Sequence, residues 1–270
     1  MSVKLGMIGG GVMGEALLSR LISQNVYQPT EVIVGEKSPE RRDYLAQQYG
    51  VSVIEDNRVV AQQASTILLA IKPQVFAAVT AELGEAFLAS TPLIVSILAG
   101  VSLSQLETAF PQLPVIRAMP NTPATVGAGM TAFALGSRAS ARDKQTAQQM
   151  FSAVGEVVEV PETLMDAVTG LSGSGPAYVA LLVEALSDGG VAAGLPRAIA
   201  TQLALQTVRG TVQLLQETKM HPAELKDRVT SPGGTTIAGV TELERGGFRA
   251  ALIAAVKAAA LRSQELGAKD

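Results

Sequence analysis

Gly9-Gly10-Gly11-Val12-Met13-Gly14 follows directly on an apolar run, Val3 to Ile8, and leads into a helical pattern that reaches Arg20. Gly-x-Gly-x-x-Gly in that setting is phosphate-binding chemistry. Gly9 permits the tight turn, Gly11 lets a pyrophosphate approach the backbone, and Gly14 lets helix and strand pack closely; Val12 and Met13 open a helix whose positive end faces the phosphates. A second segment, Ser231-Pro232-Gly233-Gly234-Thr235-Thr236, places a proline at the second position of a turn, then two glycines, then a helix beginning at the threonines. Backbone N–H groups with so little side-chain cover suit a carboxylate. The hydroxyls of Thr235 and Thr236 would equally serve to cap their own helix. With no cysteine in the chain, thiolate nucleophiles, thiolate-held metals and disulfides are excluded, and the single histidine, His221, leaves no histidine cluster for a metal. His221 stands before Pro222 at a helix start, where it reads as a cap rather than a catalyst.

Other polar residues fall at the carboxyl ends of strands, where open α/β sheets bind ligands. The residue that meets the ribose 2′ position is Glu36, or Gly35 one place earlier. A carboxylate there bonds a free diol and repels a 2′-phosphate, while Lys37, Ser38, Arg41 and Arg42 follow and would neutralise one. Lys72-Pro73-Gln74 closes the fourth strand, Ala99-Gly100 follows the fifth, and Arg117-Ala118-Met119-Pro120-Asn121-Thr122-Pro123 follows the sixth. That last loop is stiffened by two prolines and offers an amide and a hydroxyl to a ligand.

These residues need a frame. The chain has 270 residues, 47% hydrophobic and 17% charged, enough apolar material for real cores in about two domains. Strands are expected at Val3–Ile8, Glu31–Val34, Val51–Ile54, Thr66–Ile71, Leu93–Ile97 and Val115–Met119, alternating with helix-length segments in the rhythm of a parallel sheet. One of those helices has a clear start at Ser38-Pro39 and a stop at Gly50. Met130–Ala134 and Val157–Val160, around a polar helix at 141–153, complete the sheet. Beyond Pro161 the pattern is helical only: 176–190, 196–217, 222–229, 235–244 and 248–266. The fold class is therefore α/β, with a Rossmann-type dinucleotide-binding domain over residues 1–161 and an all-α domain over 162–270. Ala177 to Leu186 carries one charge, Glu184, and is apolar nearly all round, so a second subunit is expected to cover it. A net charge of −3 with scattered basic residues gives no footprint for nucleic acid. The apolar stretches are too short or too interrupted to span a bilayer. With no cysteine and no export-type leader, the cytoplasm is the expected compartment.

The segments Ile8–Gly14, Ala70-Ile71-Lys72-Pro73-Gln74, Met119–Pro123, Gly170-Leu171-Ser172-Gly173-Ser174-Gly175-Pro176-Ala177-Tyr178 and Ser231–Thr236 together resemble the pyrroline-5-carboxylate reductase family, in the family's order and across essentially the whole chain. The resemblance implies reduction of 1-pyrroline-5-carboxylate to L-proline. It also implies a helical domain that dimerises, as a homodimer or a larger assembly of dimers, with the active site where the two domains meet. By the same resemblance, nicotinamide contacts come from Ala99, Asn121 and the turn Ala70 to Pro73, and Asn57 lies near the adenosine. Gly170 to Tyr178, readable by itself as a flexible glycine-rich lead into a helix, lies near the substrate. Ser231, Gly233, Gly234, Thr235 and Thr236 hold the substrate, with the Thr236 hydroxyl against the ring. The family's usual coenzyme is NADPH, whereas Glu36 favours NADH, so both are open.

Two other readings compete. Rossmann-plus-helical reductases of β-hydroxyacids or other imines are expected to use a lysine in the second domain, and no lysine occurs between Leu164 and Val212. A non-catalytic dinucleotide sensor explains the glycines but leaves Ser231–Thr236 without a purpose. No histidine stands ready as proton donor, so the imine nitrogen must be protonated by a hydroxyl, Lys72, a water, or arrive protonated.

Overall fold

Short β-branched runs bounded by turn residues form eight strands: β1 (Leu5–Ile8), β2 (Val32–Gly35), β3 (Ser52–Ile54), β4 (Thr66–Leu69), β5 (Leu93–Ser96), β6 (Val115–Met119), β7 (Gly129–Leu135) and β8 (Gly155–Glu159). This computed structural model describes residues 3–84, 86–87 and 91–267; residues 1, 2, 85, 88–90 and 268–270, which include the outer ends of both expected domains, lie outside it. The strands lie in one sheet of order β3-β2-β1-β4-β5-β6-β7-β8, within one or two residues at each end of where the sequence places them. Every residue of β1, β2, β4 and β5 is buried, because helices cover both faces. The covering helices are α1 (Val12–Ser23), α2 (Pro39–Tyr49), α3 (Asn57–Gln63), α4 (Phe76–Leu83), α5 (Leu103–Ala109) and α6 (Ala141–Ser152). One core layer gathers Leu17, Leu21, Leu45, Phe133 and Phe151, the other Val60, Leu83, Leu106 and Phe110. Each such side chain contributes roughly 1.5–3 kcal/mol by leaving water. Ser38 caps α2 by accepting from the Arg41 N–H at 3.4 Å, and Gly50 ends the helix in the left-handed conformation, as its residues specify.

β1 to β6 run parallel, but β7 pairs antiparallel to β6 and carries β8 with it. The cause is the connection. Between Met119 and Gly129 there is room for only a short turn, and a parallel return requires a crossover of a dozen or more residues.

Beyond β8 come α7 (Met165–Val168), α8 (Gly175–Ala192), α9 (Arg197–Thr218), α10 (Pro222–Arg228), α11 (Thr235–Arg245) and α12 (Phe248–Gly267). The glycine-rich stretch before α8 is not a flexible lead: Thr169–Gly173 is a π-helical turn that runs α7 on toward α8. The wide turn is held by Ser174 N–H donating to the Thr169 carbonyl at 2.9 Å, and by the Thr169 and Ser172 hydroxyls donating to the carbonyls of Met165 and Val168. By packing, the chain separates into two compact units, the first running to Ser174 and taking up the chain again at Ala258. Met165 goes with the first unit because it is fully buried in a core layer of the sheet. The Ser263 hydroxyl donates to the Asp166 carboxylate at 2.6 Å, which ties the end of α12 to the same unit.

The other unit, Gly175–Lys257, has almost no interior of its own: Ser187, Ala200 and Ala204 are its only buried residues. Leu181, Leu203 and Leu205 are 65%, 53% and 54% exposed. Helices this apolar and this open within one chain call for a protein partner.

Candidate functional site

The sheet order reverses between β1 and β4, and the glycine turn sits at that crevice. Gly9 has φ +100°, and a Cβ on it would lie 2.5 Å from the Ala70 carbonyl oxygen, so β1 can turn there only as glycine. A Cβ on Gly14 would lie 2.5 Å from the Gly9 carbonyl oxygen, which makes it the close-packing position. Gly11 differs. A Cβ there would meet nothing within 4 Å, and Gly11 is the N-cap of α1, with no side chain on the first N–H groups of the helix. That open, donor-lined space fits a dinucleotide pyrophosphate. From it a cleft of 410 Å³ extends past Glu36, Lys37 and Asn57 on one side and Ala70 and Lys72 on the other.

Glu36 is the first residue after β2; Gly35 lines the same cleft, and a Cβ on it would lie 2.3 Å from the Asn57 Oδ1. The Glu36 carboxylate accepts from the Gly10 N–H at 2.9 Å and the Ser38 N–H at 3.0 Å, which links the glycine turn to the start of α2. The neighbouring arginines are engaged elsewhere. Arg41 donates to the Gly10 carbonyl at 2.7 Å and pairs with Glu15, while Arg42 donates to the carbonyls of Glu36 and Lys37 and pairs with Glu55. Asn57 is 3% exposed and donates to Glu82 at 3.0 Å; Lys37 pairs with the same carboxylate at 3.1 Å. Glu82 was not legible in the sequence, because it stands in α4 outside any motif.

Glu15 also receives the hydroxyls of Tyr49 at 2.7 Å and Tyr44 at 3.0 Å. Burial pushes the Glu15 carboxyl up, but the bonds from Arg41, Tyr49 and Tyr44 outweigh it and hold the group below its ordinary value. Burial and the Glu15 carboxylate push Tyr49 up to about 12. A raised folded-state value gives stability that is complete below the ordinary tyrosine value and is lost as pH rises through about 12. Thermal melts of Tyr49→Phe should therefore fall less steeply between about pH 10 and 12 than those of the parent. Parallel curves would remove Tyr49 from the alkaline transition.

Of the residues assigned to the nicotinamide end by resemblance, Ala70, Ile71 and Lys72 line this cleft and others line a second one. Pro73, Ala99 and Gly100 line a neighbouring groove of 760 Å³ with Phe76, Val101 and Leu266. The Asn121 side chain is occupied at both ends: it donates to the Ser172 carbonyl at 3.0 Å and accepts from the Met130 N–H at 2.8 Å. It joins the end of β6 to β7 and to the π-helical turn. Val12 is 77% exposed at the start of α1, with Met13 behind it against the core.

In the Gly175–Lys257 unit, Gly233 turns with φ +65° and Gly234, not a threonine, is the N-cap of α11. Thr235 and Thr236 are the first two helical residues, so neither hydroxyl fills the capping position. Ser231 packs against Gly234, where a Cβ would lie 2.2 Å from its Oγ. The Gly234 N–H closes the turn on the Ser231 carbonyl at 3.1 Å, and beyond it stand an exposed Thr235 and a half-buried Thr236. His221 caps α10, its Nδ1 accepting from the Ala223 N–H at 3.2 Å.

A doubly wound sheet with an open glycine cradle at its switch point, followed by helices with exposed apolar faces, defines a dinucleotide-binding protein with an added helical domain. Comparison with known proteins narrows this. A family model described as pyrroline-5-carboxylate reductase dimerisation matches residues 162–266, and one described as NADP oxidoreductase coenzyme F420-dependent matches residues 4–100. A pyrroline-5-carboxylate reductase of Synechocystis is 61% identical over 269 residues, covering 100% of both chains. Among solved structures, the pyrroline carboxylate reductase of Plasmodium falciparum with NADP bound shares 30% identity with a TM-score of 0.90 over 98% of both chains. That of Coxiella burnetii shares 34% identity, with a TM-score of 0.91 over 98% of this chain and 99% of its own. The chain belongs to the pyrroline-5-carboxylate reductase family, oxidoreductases that act on a cyclic imine. Among the described residues no helix is long and apolar enough to cross a membrane.

Proposed function

We propose that this chain catalyses reduction of 1-pyrroline-5-carboxylate to L-proline in the cytoplasm, with NADPH as coenzyme and NADH also accepted. The observation that carries the reading is the cradle at Gly11, open where Gly9, Gly10 and Gly14 are closely packed, in a chain that matches the family from end to end. A dihydronicotinamide held here would supply a hydride to the imine carbon. The first N–H groups of α1 hold the pyrophosphate, Glu36 meets the adenosine ribose with Lys37 lining the cleft beside it, and Asn57 supports that end from within the core. Pro73, Ala99, Gly100 and the backbone at Asn121 border the nicotinamide end. The N–H groups of Gly233 and Thr235 hold the substrate carboxylate, Ser231 shapes their turn by accepting from the Gly234 N–H, and the Thr236 hydroxyl bonds the imine nitrogen, which takes one proton as its carbon takes the hydride. The exact division at residues 161 and 162 marks the family's two domains, the second beginning where its dimerisation segment begins.

Steady-state oxidation of NADPH and of NADH in the presence of pyrroline-5-carboxylate tests the reading. Turnover with both coenzymes is expected; binding of coenzyme without turnover on any cyclic imine would indicate a sensor instead.

The bare faces of α8 and α9 belong in an interface between two copies, so sedimentation should give a dimer or a multiple of it at all concentrations where activity persists. An active monomer at nanomolar concentration would refute this.

A further inference from the structure

We infer that Glu82 sets coenzyme preference by holding Lys37 away from the ribose 2′ position. The inference rests on the coenzyme reading of the 410 Å³ cleft, whose wall includes both residues. A 2′-phosphate adds about two negative charges at the end of β2, and its binding requires cations free to face it. Arg41 and Arg42 are engaged with Glu15, Glu55 and backbone carbonyls. Lys37 is the next basic side chain at that place, and its ammonium lies 3.1 Å from Glu82 on the opposite wall, carried by α4.

Glu82 is itself held. Its other oxygen accepts from Asn57 at 3.0 Å, and Asn57 is buried at the start of α3, so the carboxylate is anchored by a second partner. Glu82 is also the more enclosed of the pair, with its side chain 27% exposed against 59% for Lys37. The charges of Glu36, Lys37 and Glu82 sum to one negative, which favours a ribose diol over a phosphate. With Glu82 neutral the sum is zero and Lys37 is released to turn toward the 2′ position.

The test is calorimetric titration of NADPH and NADH into the full-length protein, with no substrate present. Glu82→Gln keeps an oxygen for Asn57 and removes only the charge, so it is expected to fold as the parent does and to shift the NADPH to NADH affinity ratio threefold to tenfold toward NADPH. The shift should shrink as salt is raised, because a partly exposed charge is screened. Lys37→Gln should cut the ratio at least threefold more in the Glu82→Gln background than in the parent. An unchanged ratio in Glu82→Gln overturns the inference, and so does a shift that Lys37→Gln leaves undiminished, since the lysine would then not be the agent. Failure of the parent to bind either coenzyme would overturn the coenzyme reading itself, and the inference with it.

Discussion

Gly11→Val should fold like the parent and lose at least a hundredfold in affinity for either coenzyme, which corresponds to about 2.7 kcal/mol or more. Two observations separate the fold from the binding. Gly11 has φ −69° and ψ −173°, extended backbone that a valine adopts readily, and a Cβ there meets no atom within 4 Å. The side chain therefore causes no strain and displaces no core group, and as an N-cap it differs from glycine by about 1 kcal/mol at most. Its two methyls would nevertheless fill the space that bare backbone leaves for a pyrophosphate, and would shield the first N–H groups of α1 from it. Gly9→Ala and Gly14→Ala are useful contrasts, since each puts a Cβ 2.5 Å from a backbone oxygen and should lower the melting temperature before any question of binding arises. The check is a melt and a coenzyme titration on the same samples. A stable Gly11→Val protein with normal coenzyme affinity would remove the turn from the site.

The same contrast explains what the sequence could and could not say. The strands, the parallel rhythm and the caps of α2 were legible because they depend on local residue type: β-branched runs, Ser-Pro before a helix, Gly after it. The reversal at β7 was legible in principle, from a loop too short for a crossover. The π-helical turn was not, because Gly170, Ser172, Gly173 and Ser174 are residues that locally favour flexible loops; they stay helical only because the Thr169 and Ser172 hydroxyls bond back and Asn121 holds the Ser172 carbonyl. Asn121 itself shows the limit. A polar residue between prolines looks like a ligand contact, and whether its amide faces a ligand or braces two segments is decided by residues distant in sequence, Met130 and Ser172. Glu82 is the converse case, an ordinary helical glutamate that the fold brings to Lys37 and Asn57.

Thr236→Ala should lower turnover roughly tenfold to a hundredfold with coenzyme affinity little changed, the cost of one positioned hydrogen bond of about 1–3 kcal/mol. The argument begins with the cap of α11. Gly234 occupies that position and has no side chain to offer, so the helix does not draw on either threonine for capping and both hydroxyls are left to other partners. Thr236 is the half-buried one of the two, one residue beyond the N–H groups proposed to hold the carboxylate, and thus the one placed to reach a ring nitrogen bonded to the carboxylate-bearing carbon. A threonine is too weak an acid to protonate an imine unaided. Its part is to orient the nitrogen and pass a proton from water, or to stabilise the amine as it forms. Thr236→Ser keeps the hydroxyl and should recover much of the rate, whereas a purely structural role at the start of α11 would make Thr236→Ala and Thr236→Ser differ in melting temperature and not in turnover. Normal turnover by Thr236→Ala together with a defect in Thr235→Ala would move the role to the neighbouring hydroxyl. If neither substitution slows the reaction, the turn binds the carboxylate alone and the proton reaches the nitrogen by another route, with exposed Lys72 at the end of β4 the next residue to change.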